Sequence, residues 1–272
     1  MFPFLLLVYK GVTDYSGIYY GLFWLILLLL YFILNKTSSP RKSKNIEKKN
    51  DSRNIISDNS PKVVKSTRKQ ADIFPKLAKY KVNYLYHMTH INNLSSIFRQ
   101  GLVSNHKAHS SQIVNKDISD PDVQQRRERI DPIYNLSIHS YVPLYFNPRN
   151  PMLFVRKKMQ KSIALLVFDA NSIFYRKGVI FSDGNAASNP TKFYSSLNDL
   201  NKLDWNCIYA ASYWNDFSDG KRKRCAEVLV PNKIEFNKVV KILVYDYNAI
   251  NQVKSRINNY QVEVVKDDQF FF

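Results

Sequence analysis

At 272 residues, 45% of them hydrophobic and 14% aromatic, the chain has material for one well-packed domain with extensions and too little for two large ones. Its two cysteines, Cys207 and Cys225, match no metal-ligand spacing and no disulfide framework, so no metal is expected and a reducing compartment is favoured. A formal net charge of +18 asks for a polyanionic partner, either nucleic acid or an anionic membrane surface, and the sign alone does not choose between them.

The first predicted element is a transmembrane helix over about 15–35. Tyr15 to Asn35 carry no charge and Leu22 to Leu34 are apolar throughout, close to the roughly 20 residues that cross a bilayer core. Tyr19, Tyr20 and Tyr31 sit toward its ends, and the basic flank that follows predicts a single-pass membrane anchor with the rest of the chain in the cytoplasm. A cleaved signal peptide is the competing reading, but the sequence has no basic segment before the apolar run and no small-residue cleavage site after it. The stretch from Phe2 to Tyr9 is too short to cross and suits the interface.

Residues 36–80 read as a basic, disordered linker. Between Lys36 and Lys79 there are thirteen Lys and Arg against four Asp and Glu, with Pro40, Pro61 and Pro75 and little apolar periodicity, so half of the net charge lies in a segment unable to build a core. Such a tether would be held near acidic lipids at about 1 kcal/mol per basic residue. A nucleic-acid-gripping arm is the rival, weakened by the lack of interleaved aromatics before Phe74 and Tyr80.

Residues 81–272 hold the folded domain. Runs rich in Val, Ile, Tyr and Phe predict strands at Asn83 to Met88, Val142 to Asn147, Ile163 to Asp169, Val179 to Ser182, Ala226 to Val230, Val239 to Tyr245 and Gln261 to Val265. A helix is predicted after Thr89 as N-cap, with Leu94, Ile97 and Phe98 on one side and Gly101 as its stop. Further helices are expected over Val123 to Arg129, Pro151 to Met159, Pro190 to Leu200 and Leu203 to Ala210. Strands and helices mix without regular alternation, repeat or Gly-rich phosphate loop, which favours an α+β fold over a doubly wound sheet.

Within this pattern a few polar residues stand where apolar ones are expected. Glu227 lies in the run Cys225-Ala226-Glu227-Val228-Leu229-Val230, a costly place for a carboxylate unless it faces a cleft or a partner. His87 ends Tyr84-Leu85-Tyr86, and Thr89 and Asn93 follow within one turn, a cluster able to hydrogen-bond a ribose and a carboxamide. A lone His at a strand end is more often a structural residue. Arg126 and Arg127 would by themselves read as a solvated helix face. The loop from Trp214 to Arg224 joins aromatic residues to the cationic cluster Lys221 to Arg224, a combination suited to stacking a base and guiding a phosphate chain.

Taken in order, Leu85 to Leu94, Val123 to Arg127, Tyr141 to Leu153, Phe181 to Ala187, Leu203 to Trp205 and Lys223 to Val230 resemble the DarT family along the whole domain. That resemblance implies an ADP-ribosyltransferase-like fold of split mixed β-sheets flanked by helices. It also implies a toxin of a toxin-antitoxin system that uses NAD+ as substrate to attach ADP-ribose to a base, commonly thymidine, of single-stranded DNA, with a DarG-like macrodomain antitoxin as a possible partner.

Glu227 then fits the carboxylate that stabilises an oxocarbenium-like state near the ribose C1′. The resemblance gives Arg127 the role of stabilising charge on the acceptor base, and lays His87, Thr89 and Asn93 along the cofactor cleft, Asn93 by supporting the turn. Tyr145 or Phe146 is a candidate to stack on nicotinamide, although an aromatic pair in a strand is more often core. Arg126, Arg149, Asp183, Asn185, Trp214, Lys223 and Arg224 are the candidate DNA-binding residues.

Two departures from the family pattern stand out. The spacer Asp131 to Ser140 replaces a Gly-rich approach to the strand at Tyr141, which leaves base choice open, and the expected N-terminal anchor is an addition. An ADP-ribosyltransferase acting on another base, RNA or protein, and a non-catalytic membrane-tethered nucleic-acid-binding module, are the alternatives.

Overall fold

The structure is a computed structural model that describes residues 70–272. The expected transmembrane helix and most of the expected linker lie outside these residues. None of the described helices is long and apolar enough to cross a membrane.

In chain order the elements are α1 (Gln70–Lys79), β1 (Tyr84–His90), α2 (Leu94–Gln100), β2 (Leu102–Val103), α3 (Asn105–Ser110), α4 (Pro121–Arg126), β3 (Tyr141–Tyr145) and α5 (Pro151–Val155). There follow β4 (Ile163–Asp169), α6 (Ala170–Phe174), β5 (Ile180–Ser182), β6 (Phe193–Tyr194), α7 (Trp205–Tyr209), α8 (Gly220–Lys223), β7 (Glu227–Pro231), β8 (Lys233–Ile234), β9 (Val239–Val244), α9 (Tyr247–Arg256) and β10 (Glu263–Lys266). Eight strands form one mixed sheet in the order β10-β9-β4-β1-β3-β7-β5-β6, while β2 and β8 pair separately. The fold is therefore α+β, as the sequence predicts.

This sheet is nearly cut in two. β1 and β4 share seven residue pairs, but β1 and β3 share only Tyr86↔Tyr145 before the strands part. Pro143, two residues before Tyr145, has no N–H to extend the ladder. In place of the split sheets that the resemblance implies there is one eight-stranded sheet, narrowed at this seam to a single residue pair. On one face a continuous core runs from end to end, built from Leu85, Leu144, Leu166 and Val228 under helices that contribute Ile73, Leu94, Ile173 and Val253. On the other face the apolar packing breaks into two clusters. One gathers Met88, Leu165 and Phe271 over β1, β4 and β9, the other Ile138, Ile180 and Leu229 over β3, β5 and β7.

β4 supports both faces. Its run Ile163–Asp169 is buried from Ile163 to Phe168, with alternate residues in opposite clusters, as expected of a strand covered on both sides. At the end of α2, Gly101 has φ 81° and a Cβ there would stand 2.8 Å from the Ile234 carbonyl, so only glycine lets the helix stop and β2 turn onto β8.

Several expectations are corrected. Thr89 does not cap a helix: β1 continues through His90, whose Nδ1 accepts from the Asn92 N–H at 3.1 Å and opens a 3-10 turn before α2. The helix expected at Pro190 to Leu200 is replaced by β6 and a 3-10 turn at Leu197–Lys202, because Phe193 pairs with Ser182 at the sheet edge. Ten residues near the end of the expected linker, Gln70–Lys79, form α1, whose Ile73 and Leu77, four apart, are buried in the main core. Unanticipated, α9 is capped by Asp246, which accepts from the Ala249 N–H at 3.0 Å, and buries Ala249 and Val253.

Candidate active site

A cavity of about 840 Å³ opens above the seam, between the two smaller apolar clusters. Its volume falls within the ~300–1,000 Å³ typical of small-molecule sites. His87 and Thr89 reach it from β1, Tyr145 from β3, Arg127 from the end of α4 and Asn185 from the loop after β5.

Glu227 opens β7 and is directly opposite Tyr145 in the register. Only 1% exposed, its carboxylate accepts from Arg127 Nη1 with both oxygens at 3.0 Å and from the Ala186 N–H at 2.9 Å, while Ser182 Oγ accepts its backbone N–H at 3.2 Å. Arg127, 6% exposed, is therefore the counter-charge that makes a buried carboxylate tolerable here. Only one of its two terminal nitrogens is used. Nη2 is buried and has no partner among the described residues, which leaves a charged donor next to the carboxylate in the cavity wall.

His87 spans the parting strands. Its Nδ1 lies 2.9 Å from the Pro143 carbonyl, which can only accept, so Nδ1 carries the proton and Nε2 keeps its lone pair. Burial outweighs that hydrogen bond and lowers the pKa to about 4, so the ring is neutral at pH 7. Tyr145 donates its hydroxyl proton to Met152 Sδ at 3.1 Å. Burial first, and then the Glu227 charge, push its pKa well above the ordinary phenol value, which excludes Tyr145 as a base.

Not every predicted contact survives. Asn93 Oδ1 accepts from the N–H groups of Asn115 and Lys116 at 3.0 and 2.9 Å, and Nδ2 donates to the Lys116 carbonyl at 2.8 Å and to Thr89 Oγ1 at 3.2 Å. Those four bonds exhaust the amide, so Asn93 clamps the segment over the cavity, as the expected supporting residue, and has nothing left for a ligand. Thr89 Oγ1 keeps its own proton to donate.

Among the expected DNA-binding residues, Arg126 and Asn185 line the cavity. Asp183 instead accepts from Arg222 Nη1 at 2.7 Å and from the Lys192 N–H at 2.9 Å, holding Arg222 in place. Lys223 is paired with Asp204 at 3.0 Å. Trp214 is buried against Phe154 and Phe272, and Arg224 is buried on backbone carbonyls, so neither lines this cavity. The cationic run thus divides: Lys221 and Arg222 face the cavity, and the two residues after them turn away. Arg156 and Gln124 also line it and were missed, and Arg222 was singled out only as a member of the cationic cluster. Nothing in the sequence gives the phase of the one-turn helix α8, which decides which cation faces the cavity.

A family model described as "ssDNA thymidine ADP-ribosyltransferase, DarT" matches residues 86–272. The chain belongs to the DarT family. A DNA ADP-ribosyl transferase of Thermus sp. is 32% identical over 180 residues, covering 62% of this chain and 84% of that protein. A DNA ADP-ribosyl transferase-DNA ADP-ribosyl glycohydrolase fusion protein of Thermosipho africanus is 32% identical over 191 residues, covering 69% of this chain and 49% of that protein. This chain therefore spans about half the length of the fusion and most of the Thermus relative. Thermus sp. 2.9 DarT in complex with ADP-ribosylated ssDNA superposes with a TM-score of 0.64 at 27% identity over 71% of this chain and 97% of that one. The same protein in complex with NAD+ gives 0.61 at 25% identity over 71% and 98%.

Proposed function

We infer that this DarT-family chain transfers ADP-ribose from NAD+ to a base, thymidine first among the candidates, of single-stranded DNA. The observation that carries the reading is the buried Glu227 carboxylate held by Arg127, which lines one cavity together with a neutral His87 and a protonated Tyr145. NAD+ is a substrate here. Its nicotinamide–ribose bond breaks, the electron pair leaves with nicotinamide, and a ring nitrogen of the base forms the new bond to C1′ as its proton departs.

Each residue has a part in that exchange. Glu227, fixed by three hydrogen bonds, presents negative charge to the ribose as it becomes cationic. Arg127 offers its free Nη2 to a base carbonyl, where charge accumulates once the ring proton is lost. The His87 Nε2 lone pair accepts from a ribose hydroxyl or carboxamide N–H, and Thr89 donates. The fit of the dinucleotide rests on these uncommitted groups and on the cavity volume.

Incubation of the protein with NAD+ and pools of single-stranded DNA, RNA and protein, followed by mass spectrometry, tests the reading. One ADP-ribose unit should appear on thymine-containing DNA, and label confined to another pool would replace it. The membrane anchor, the cytoplasmic side of the domain, a toxin or anti-phage role and a DarG-like antitoxin belong to the same proposal. The uncharged run Tyr15 to Asn35 with its basic flank supports the first two, and the Thermosipho fusion of a transferase with a glycohydrolase supports the last.

A further inference from the structure

A second cavity of about 100 Å³ is lined by Arg149, Ser212, Tyr213, Trp214, Arg224 and Phe272 among others. The same two chain segments border both: Pro151 and Met152 face the large cavity and Arg149 the small one, as Arg222 and Cys225 face the large cavity and Arg224 the small one.

Two cations line the small cavity, and among the described residues neither is ion-paired. Arg224 is 5% exposed, yet its guanidinium meets only carbonyls: Arg149 at 3.1 Å, Cys207 at 2.6 Å and Ala210 at 2.6 Å. Neutral carbonyls orient a guanidinium without cancelling its charge, and a buried unpaired ion is costly. Burial, and the nearby charge of Arg149, lower the Arg224 pKa. Arg149 itself lies 4.8 Å over the Phe272 ring, and among the described residues neither arginine pairs with a carboxylate. Tyr213, beside them, is 64% exposed.

We propose that this cavity binds one phosphodiester of the DNA strand whose base is modified in the main cavity. The free N–H groups of Arg149 and the Ser212 hydroxyl hold the anion, Arg224 supplies a fixed positive charge beneath it, and the Tyr213 ring stacks on a neighbouring base. Backbone contacts of this kind position the strand without reading its sequence. The assignment rests on the DNA-modifying reading above, and the pyrophosphate of NAD+ is the other source of the same chemistry.

Initial-rate kinetics separate the two sources, with oligonucleotide and NAD+ varied independently at several salt concentrations. Arg149→Gln should raise the KM for oligonucleotide about tenfold, equally across sequences, and reduce the salt slope by about 0.7, the share of one single-strand phosphate. The KM for NAD+ should not follow. Ser212 is exposed, so Ser212→Glu is a second variant with little risk to the fold. It supplies the missing counter-charge and should raise Tm while weakening the oligonucleotide. An oligonucleotide KM and salt slope at wild-type values in these variants, or a loss that appears in the KM for NAD+, would overturn the subsite alone. A wild-type chain that modifies no DNA would overturn the DNA reading and the subsite with it.

Discussion

Glu227 and Arg127 depend on each other for burial, so the choice of substitution decides what is learned. Glu227→Gln keeps an acceptor for Arg127 and should fold while transfer falls by about 10²–10³-fold, the scale of losing one electrostatic stabiliser. Single-turnover assays with a thymine oligonucleotide check the rate and a thermal melt checks the fold. Arg127→Ala strands the carboxylate among apolar neighbours and should cost about 3–5 kcal/mol, read by urea unfolding. His87 predicts a pH dependence. Its folded pKa, about 4, lies below the ordinary value of 6.5, so between the two the unfolded chain binds more protons. The stability His87 contributes is complete above about pH 6.5 and is lost as pH falls toward 4. Melting temperatures from pH 4 to 8 should decline on the acid side, and His87→Asn should flatten part of that decline.

Among the elements, α1 and α8 carry the clearest predictions. α1 comes from a stretch whose composition reads as tether, yet Ile73 and Leu77 pack it into the main core near α6 and the 3-10 turn at Leu197–Lys202. Leu77→Ala should lower stability by about 2–5 kcal/mol. A chain beginning at residue 70 should therefore fold more stably than one beginning at residue 81, which differential scanning calorimetry would reveal. α8 starts at Gly220, where a Cβ would stand 1.8 Å from the Trp214 carbonyl oxygen. Gly220→Ala should displace the following turn, take Arg222 from the cavity wall and depress transfer more than global stability, a split seen by comparing activity with Tm.

At the scale of the whole molecule, the site exists because the sheet is joined at its middle by a single residue pair. The seam provides a cleft, and residues far apart in the chain, from His87 to Arg222, line it. The net charge of +18, about half of it on residues 36–79, gives the chain a long-range attraction for polyanions that salt should screen. Removal of residues 1–69 should leave transfer to DNA intact in solution and move the protein out of the membrane fraction of expressing cells. Retention of the shortened chain in that fraction would end the anchor proposal.

Much of this was legible in one dimension. The long apolar run of Ile163 to Phe168 gives β4 because burial on both faces demands unbroken hydrophobicity, and Glu227 stood out because a carboxylate in an apolar run needs a partner. The sequence by itself determined the α+β class, the strands that carry the site, and the residue types on which the chemistry depends. Tertiary structure alone decided that Arg127 is that partner, that Asn93 exhausts its bonds on a loop, that Arg224 turns inward while Arg222 faces the cavity, and that α1 belongs to the domain. Each of those outcomes is set by which groups from distant segments meet, and neither local propensity nor periodicity encodes a meeting between residues a hundred positions apart.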